Sequence, residues 1–326
     1  MSASSIDQAL TALYADFLPK TVFDAHTHMF IRSTLPRFRQ PNEMFEHEKG
    51  TPEVYKADML RFLPGVETIH LNMMPMPDAS LSSEIPRETA NRYVASLLAS
   101  SSGNAGCVYV TPEDSEEKIE KTITKYGFRG IKCYSYGANR ADVEALSIDE
   151  YLPESAWVVA EHMHLPIILH LMRPEALSDA DNFSCITRMS HRYPNAQLVL
   201  AHCARGFAAW TCIRAIRALE DCGNVWFDLS SVCESGPMMA CIMKNAGKRT
   251  MWGSDWPICM LRGRAVSLGV GQNWLTDLPG EKPHIAAENL FAIYQTALLL
   301  NLDQTQIEDL FCNNARRLFG VQQNNP

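Results

Sequence analysis

Two histidines separated by one residue are the first candidates for chemistry in this sequence. His26 and His28 occur in the run Asp24-Ala25-His26-Thr27-His28, which follows a short apolar stretch. On an extended chain this spacing places both imidazoles on the same face, because successive side chains of a strand point to opposite sides. The pair can therefore chelate one metal ion.

Three further side chains of the same chemical kind each follow a short apolar run. His170 comes after Ile167-Ile168-Leu169, His202 after Val199-Leu200-Ala201, and Asp255 after Trp252-Gly253-Ser254. Imidazoles and carboxylates bind divalent metals, and they also transfer protons in hydrolysis. Whether the five groups act together depends on the elements that carry them.

Strands and helices are predicted to alternate along most of the chain. Eight short apolar runs have the composition of buried strands, at residues 21–25, 66–71, 106–110, 130–134, 166–169, 197–201, 224–229 and 249–253. Helical periodicity marks residues 84–99, 116–126, 154–163, 182–192, 207–220 and 237–245. Repeated strand–helix units imply a parallel sheet, and eight of them can close into an α/β fold, the (β/α)8 TIM barrel. We favour the barrel over a doubly wound sheet, since no Gly-rich phosphate loop follows the first strand.

The rest of the chain is interpreted as additions to one barrel domain that spans residues 1–326. Residues 1–20 form an N-terminal extension. Residues 28–63, rich in proline and charge, are a loop insertion after strand 1, over one barrel mouth. The C-terminal part, 286–320, contains two amphipathic helices, at 286–300 and 304–319, which we expect to pack outside the barrel.

In a barrel of this kind the carboxyl ends of the strands build the active site. All five candidate side chains fall at such ends, so we expect them to meet at one mouth. A lone histidine at the end of a strand is usually structural, but five suitable groups at one mouth indicate a metal or hydrolytic site. The other six histidines lie in predicted helices, early loops or mid-strand, and we assign them to the core or the surface.

These motifs resemble those of the amidohydrolase superfamily. The resemblance rests on the segments around His26 and His28, on Leu169-His170, on Leu200-Ala201-His202, on Trp252-Gly253-Ser254-Asp255-Trp256-Pro257, and on Asn314-Ala315-Arg316-Arg317-Leu318-Phe319-Gly320. More narrowly, the chain is similar to the amidohydrolase-2 branch, which includes metal-dependent decarboxylases similar to aminocarboxymuconate semialdehyde decarboxylase, and various sugar and dicarboxylate lactonases. The motifs are specific for the superfamily and its site, but not for a substrate.

The resemblance implies a division of roles. His26, His28, His170 and Asp255 would hold one divalent ion, and His202 would stand beside it as a catalytic acid or base, a task that Asp255 can share. Three imidazoles and one carboxylate suit Zn²⁺ and also admit Mn²⁺. Such an ion lowers the pKa of bound water toward ~7 and polarises a carbonyl.

Four more residues are candidates for binding a small anionic substrate: Lys132, Arg173, Arg205 and Trp256. Lys132 lies on the fourth predicted strand, where binuclear members of the superfamily carry a carbamylated lysine that bridges two metals. We favour a plain cation, because the branch resembled here is generally mononuclear, and the carbamate stays open. Each arginine follows a ligand-type histidine by three residues, so it either binds substrate at the mouth or forms a surface ion pair. The tryptophan directly after Asp255 could wall the pocket.

Composition narrows the class of protein further. The 326 residues are 46% hydrophobic and 20% charged, which is typical of a globular protein. A net charge of −8 without a basic run argues against nucleic acid as a partner. Ten scattered cysteines without a CxxC pair predict reduced thiols and a cytoplasmic location. Residues 1–20 lack the basic start and apolar core of a signal peptide, and no apolar run reaches about 20 residues, so we expect no membrane partner. A homo-oligomer stays open.

Two classes of enzyme fit the same five residues. The first choice is a metal-dependent hydrolase, which attacks the carbonyl of a small carboxylated amide, ester or lactone with metal-activated water. The second is a non-oxidative metal-dependent decarboxylase, a carbon–carbon lyase, acting on a small unsaturated or aromatic acid. A non-catalytic barrel is disfavoured, because every expected ligand is present in the sequence.

Overall fold

A closed ring of parallel strands forms the centre of the computed structural model, which describes residues 4–38, 44–276 and 279–321. The strands are β1 (Thr21–Ile31), β2 (Lys49–Gly50), β3 (Thr68–Pro75), β4 (Ala105–Tyr109), β5 (Gly130–Cys133), β6 (Pro166–Leu169), β7 (Gln197–Leu200), β8 (Val225–Asp228), β9 (Thr250–Met251), β10 (Ala265–Leu268) and β11 (Gly271–Trp274). The helices are α1 (Ser5–Tyr14), α2 (Pro52–Met59), α3 (Glu84–Ala99), α4 (Glu116–Tyr126), α5 (Glu154–Met163), α6 (Ala180–Arg192), α8 (Ala209–Ala215), α9 (Ser235–Lys244), α10 (Ile285–Leu300), α11 (Gln304–Glu308) and α12 (Asn314–Leu318), and α7 (Ala201–Arg205) is a short segment with left-handed backbone angles.

The predicted (β/α)8 TIM barrel is confirmed. Within the described residues, nine strands form one sheet in the order β2-β1-β3-β4-β5-β6-β7-β8-β9, and all pairs are parallel except β1 with the short β2. The ring closes between β1 and the segment after β9. There the His28 amide donates to the Trp256 carbonyl at 2.7 Å, and the Asp255 amide donates to the His26 carbonyl at 2.8 Å.

The first strand is longer than predicted, because a β-bulge lets it continue past its expected end. β1 runs to Ile31 instead of ending at residue 25, and its register against β3 shifts between Asp24 and Thr27. A bulge inserts one extra residue and resets which face the next side chains point to. Phe23 and Ala25 pack with residues of the other strands inside the barrel, and the bulge returns His26 to that same inner side.

Several helices have the predicted bounds, because local signals fix them. In α4, the Ser115 hydroxyl accepts from the Lys118 amide and caps the helix, and Gly127 ends it with a φ of 70°. The predicted helix at 207–220 is shorter, since α8 gives way to a 3-10 turn at Ile216–Leu219. The predicted insertion at 28–63 contains the end of β1, β2 and α2, and residues 39–43 lie outside the described residues.

The C-terminal segment closes the barrel end opposite the histidines, which corrects the prediction that it packs only outside. The predicted helix at 304–319 is three pieces, α11, a π-helical turn at Asp309–Asn313 and α12. Phe319 stacks on Phe23 with ring centroids 6.0 Å apart, and Leu318 joins the same interior cluster. The C-terminal segment thereby packs against the interior side chains at this end of the barrel, and the candidate groups lie at the other end, where the strands have their carboxyl ends.

Among the described residues, no helix has both the length and the apolar character needed to cross a membrane. All ten cysteines are free thiols and buried.

Candidate metal centre and active site

Three of the predicted metal ligands form one tight, buried cluster. The Nε2 atoms of His26 and His28 are 3.2 Å apart, and Asp255 Oδ1 lies 3.5 Å from the first and 3.3 Å from the second. The sequence expectation that the two imidazoles share one face agrees with this geometry. Three potential ligand atoms therefore converge on one point at the carboxyl end of the barrel.

Hydrogen bonding on the far side of each ring fixes which nitrogen faces the cluster. His26 Nδ1 lies 2.9 Å from the Asp228 carboxylate, and His28 Nδ1 lies 3.2 Å from the Pro75 carbonyl. Both partners only accept, so each Nδ1 carries the proton and each Nε2 presents a lone pair. Two lone pairs and a carboxylate at this separation repel one another unless a cation lies between them, so the donor set fits a divalent ion.

The ionisation states of these three side chains also favour the binding of a divalent ion. Burial lowers the pKa of His26 to about 4, with the nearby Lys132 cation acting in the same direction. Burial also lowers the pKa of His28, so both rings are neutral at neutral pH. The pKa of Asp255 lies below its ordinary value in spite of its burial, so this side chain is a carboxylate at neutral pH. Two neutral imidazoles and one carboxylate face each other.

His170, the predicted fourth ligand, lies at the same cavity but outside the tight cluster. It directly follows β6, and its ring centroid is 5.1 Å from that of His202. Its Nδ1 is buried and has no hydrogen-bond partner among the described residues. A buried ring nitrogen without a hydrogen-bond partner is available to bind a ligand, and coordination of a metal by His170 stays a prediction.

His202, the predicted acid or base, lies in a left-handed turn two residues after the end of β7. His202, Cys203, Ala204 and Arg205 all have φ between 52° and 57°. This conformation costs a non-glycine residue about 1–3 kcal/mol and persists only where other contacts enforce it. One such contact is the His202 amide, which donates to Asp228 Oδ1 at 2.9 Å. The turn places the His202 ring 5.0 Å from the His26 ring, centroid to centroid.

Asp228, the last residue of β8, connects the cluster to the acid or base. Its two carboxylate oxygens accept from the His26 ring, from the His202 amide and from both the amide and the hydroxyl of Ser230. Burial would raise its pKa, but the His26 and His202 rings hold the pKa well below its usual range. A strand-end aspartate was a foreseeable partner for an imidazole, but only the fold shows that the partner is His26.

The four histidines and Asp255 open into one cavity of about 270 Å³. The predicted residues that line it are His26, His28, Lys132, His170, His202 and Asp255. Five aromatic side chains share the lining: Phe38, Tyr134, Tyr136, Phe207 and Trp274. Lys132 is fully buried on β5, and burial lowers its pKa.

Arg37 lines the cavity as well, and sequence reasoning missed it. Its guanidinium donates to the Tyr136 hydroxyl at 2.8 Å and lies over the Tyr136 ring. Its position in the predicted insertion over the barrel mouth was the sequence feature that pointed to the cavity. No spacing rule links Arg37 to β5 or to the histidines.

Three predicted substrate contacts do not line the cavity in the described structure. Arg173 pairs with Asp179 at 3.1 Å. The Arg205 guanidinium donates to the Arg173 carbonyl at 3.1 Å. Trp256 is buried, and its indole donates to Asp58 at 3.1 Å. Their part in substrate binding stays a prediction without a supporting contact.

Comparison with known proteins assigns the chain to a family. The model of the amidohydrolase family, in its amidohydrolase-2 branch, matches residues 23–321. The chain belongs to this family, and it is an enzyme of the hydrolase or lyase class. A comparison of the sequence with curated proteins found no match.

Solved structures with the same fold include hydrolases and decarboxylases. An amidohydrolase from Burkholderia multivorans with bound HEPES is 14% identical, with a TM-score of 0.63, over 93% of this chain and 100% of that one. A Pseudomonas putida protein described as a 2-pyrone-4,6-dicarboxylic acid hydrolase is 17% identical, with a TM-score of 0.59, over 94% and 100%. A dihydroxybenzoic acid decarboxylase from Polaromonas sp. JS666, with bound manganese and 2-nitroresorcinol, is 14% identical, with a TM-score of 0.59, over 94% and 98%. The Burkholderia protein is also known with bound zinc, and that structure is 14% identical to this chain, with a TM-score of 0.60, over 93% and 100%.

Proposed function

We propose that the protein is a metal-dependent hydrolase that adds water to the carbonyl of a small carboxylated amide, ester or lactone. The observation that carries this proposal is the buried cluster of His26, His28 and Asp255 beside His202. It combines ligands for a divalent ion with an acid or base in one cavity.

The ion would be held by His26, His28 and Asp255, with His170 as the further ligand at the cavity. Zinc is our first choice and manganese the second, because imidazole and carboxylate donors admit both. Family structures with bound zinc and with bound manganese support the same pair of candidates. When bound, such an ion supplies Lewis acidity toward a substrate oxygen and makes water more acidic.

The protein's own side chains would move the proton. His202 lies next to the cluster and takes the proton of the attacking water, then returns it to the leaving group. Asp255 is anionic, and one of its oxygens faces His26 and His28, so it is the alternative acceptor.

Two cationic side chains at the cavity favour a carboxylated substrate. Lys132 lies at its buried end and Arg37 on the insertion at its mouth. Arg37 can form two parallel hydrogen bonds with a carboxylate while Tyr136 supports its guanidinium. For Lys132 we propose the plain cation.

A decarboxylase is the second candidate, and the aromatic lining of the cavity favours it. Tyr134, Tyr136, Phe207 and Trp274 offer flat faces to a planar ring. The Polaromonas decarboxylase, of similar fold, binds the aromatic inhibitor 2-nitroresorcinol. In that reaction His202 would deliver the proton to the carbon that loses CO₂.

Mass spectrometry of the products separates the two reactions. A panel of carboxylated lactones, amides, esters and aromatic acids is incubated with zinc-loaded protein. Products that gain one water support the hydrolase, and products that lose CO₂ support the lyase. Metal content per chain is measured on the same samples, and chelation should abolish turnover, with zinc restoring it.

Two variants test whether the cluster carries the reaction. His26→Ala and Asp255→Asn should abolish turnover and leave the fold intact, because both side chains line the cavity and not the packed core. Asp149→Asn is the matched control, since that carboxylate pairs with Arg188 on the surface. Full activity in metal-free protein, or in either cluster variant, refutes the proposal.

We also propose a cytoplasmic location, supported by the ten buried free thiols.

A further inference from the structure

Two consecutive serines follow β8, and both contact groups of the active site. Ser230 contacts His202, and Ser231 contacts Asp255. On an extended chain neighbouring side chains point in opposite directions. Ser231 has a φ of 57°, in the left-handed region, and this turn brings both hydroxyls to the same side. Both residues are completely buried.

Ser230 offers two oxygen atoms to the His202 ring. The hydroxyl oxygen lies 2.9 Å from His202 Nδ1, and the carbonyl oxygen lies 3.1 Å from the same nitrogen. The hydroxyl also contacts Asp228 Oδ1. One residue therefore fixes the ring and ties it to a buried carboxylate.

Counting protons settles the direction of these bonds. The Asp228 carboxylate can only accept, so the Ser230 hydroxyl donates its single proton there. Toward His202 the Ser230 hydroxyl can then only accept a hydrogen bond, and the Ser230 carbonyl oxygen can only accept as well. His202 Nδ1 must donate to both. In the neutral ring, which carries a single N–H, Nε2 is therefore the unprotonated nitrogen that a base needs.

Ser231 acts on the other proton acceptor. Its hydroxyl donates to Asp255 Oδ2 at 3.0 Å, while Oδ1 faces His26 and His28. This bond fixes the rotation of the carboxylate that completes the ligand cluster. The left-handed region is strained for a non-glycine residue, so the backbone at Ser231 keeps this φ only because contacts such as the one to Asp255 hold it there.

We propose that Ser230 and Ser231 are positioning residues with separate roles. Ser230 orients His202 so that its Nε2 is free to accept a proton, and Ser231 orients the Asp255 carboxylate so that its Oδ1 can bind the metal. The inference rests on the proposed function and deepens it. Because the two contacts are separate, their loss should change different measurements.

The test of Ser230 compares Ser230→Ala, Ser230→Thr and the control Ser190→Ala, which removes a buried hydroxyl on α6 that does not line the cavity. Ser230→Ala should lower kcat about 10-fold or more, with KM and zinc affinity close to wild type, because outer contacts of this kind are worth about 10- to 100-fold. Ser230→Thr, which keeps the hydroxyl, should recover most of kcat. Nitrogen NMR of histidine-labelled, zinc-loaded wild-type protein should show the His202 proton on Nδ1.

The test of Ser231 uses zinc affinity, measured by competition with a chelator. Ser231→Ala and Ser231→Gly should both weaken zinc binding, by about 10-fold or more. Glycine adopts a positive φ without strain, so Ser231→Gly should not lose stability through the backbone. Weak zinc binding in a stable Ser231→Gly protein therefore separates the contact to Asp255 from a folding defect.

Three results would overturn the inference. They are a proton on Nε2 of His202 in the wild type, a kcat for Ser230→Ala equal to that of Ser190→Ala, and wild-type zinc affinity in Ser231→Gly. The NMR and zinc measurements need no substrate. If no panel substrate is hydrolysed, but His202 of the wild type carries its proton on Nδ1 and Ser231→Gly binds zinc weakly, the proposed reaction fails and the positioning roles stand.

Discussion

Replacing Asp228 by asparagine tests how the cluster is held together. The wild-type carboxylate accepts four hydrogen bonds and donates none. Asparagine has one accepting oxygen and one amide group that only donates. If its oxygen keeps the three donors from His202 and Ser230, its amide faces His26 Nδ1, where two donors cannot pair. His26 then has to move its proton to Nε2, the nitrogen that faces the metal.

The size of the effect follows from the bond that is lost. The His26 bond to Asp228 is buried, charge-assisted and 2.9 Å long. Hydrogen bonds to charged groups contribute about 1.5–3 kcal/mol, which corresponds to about 10- to 100-fold in zinc affinity. The substitution also removes a negative charge that favours a nearby cation, and this loss weakens zinc binding further.

Chelator competition with zinc measures this change directly, with Asp149→Asn as the matched control on the surface. Circular dichroism and urea unfolding establish that the Asp228→Asn protein is folded. Zinc affinity for Asp228→Asn equal to that of the control would show that the hydrogen bond to His26 has no part in metal binding. The tautomer reasoning would then be wrong as well.

Three further changes test the remaining roles. His202→Asn should lower kcat about 100-fold or more with zinc content unchanged, and loss of the zinc would mean that His202 is a ligand. Arg37→Gln should raise KM about 10-fold for a carboxylated substrate but not for its neutral amide, and equal changes would exclude a contact with the carboxylate. Asp7→Asn should lower the free energy of unfolding by about 1–3 kcal/mol, since Asp7 accepts from the His284 ring at 2.7 Å and from the His284 amide at 2.8 Å. Burial raises the pKa of Asp7, but these bonds hold it below its ordinary value, so their contribution is present above the unfolded pKa of about 3.9 and is lost as pH falls through that range toward the folded pKa. Urea unfolding of both proteins should therefore show the difference shrinking toward about pH 3, and a constant difference would contradict the assignment.

Local signals in the sequence predicted the helices and the order of strands well. The bounds of α3, α4 and α5 agree with the apolar periodicity, because a helix ends where its own caps and turn residues end it. The bulge in β1 was not predictable in this way. It depends on the pairing of β1 with β3, and on a ring closure with a segment more than two hundred residues away.

At the site, too, the sequence predicted some features and others depended on tertiary contacts. Residue type and position after an apolar run were enough to select His26, His28, His170, His202 and Asp255. They say nothing about Arg37, which reaches the cavity from the insertion, and they do not determine which imidazole Asp228 contacts. Arg173 and Arg205 had the right spacing from a histidine, but their guanidinium groups contact neighbouring loop atoms.

By itself the sequence determined the barrel, the family resemblance and the set of groups that could bind a metal, because strand periodicity and residue chemistry are properties of the chain. Only the tertiary structure decided which nitrogen of each histidine faces the cluster, since that depends on acceptors from other strands. The left-handed turns at His202 and Ser231 were also decided only by the tertiary structure. They are held by contacts that form only after β7, β8 and the segment beyond β9 have met in the closed ring.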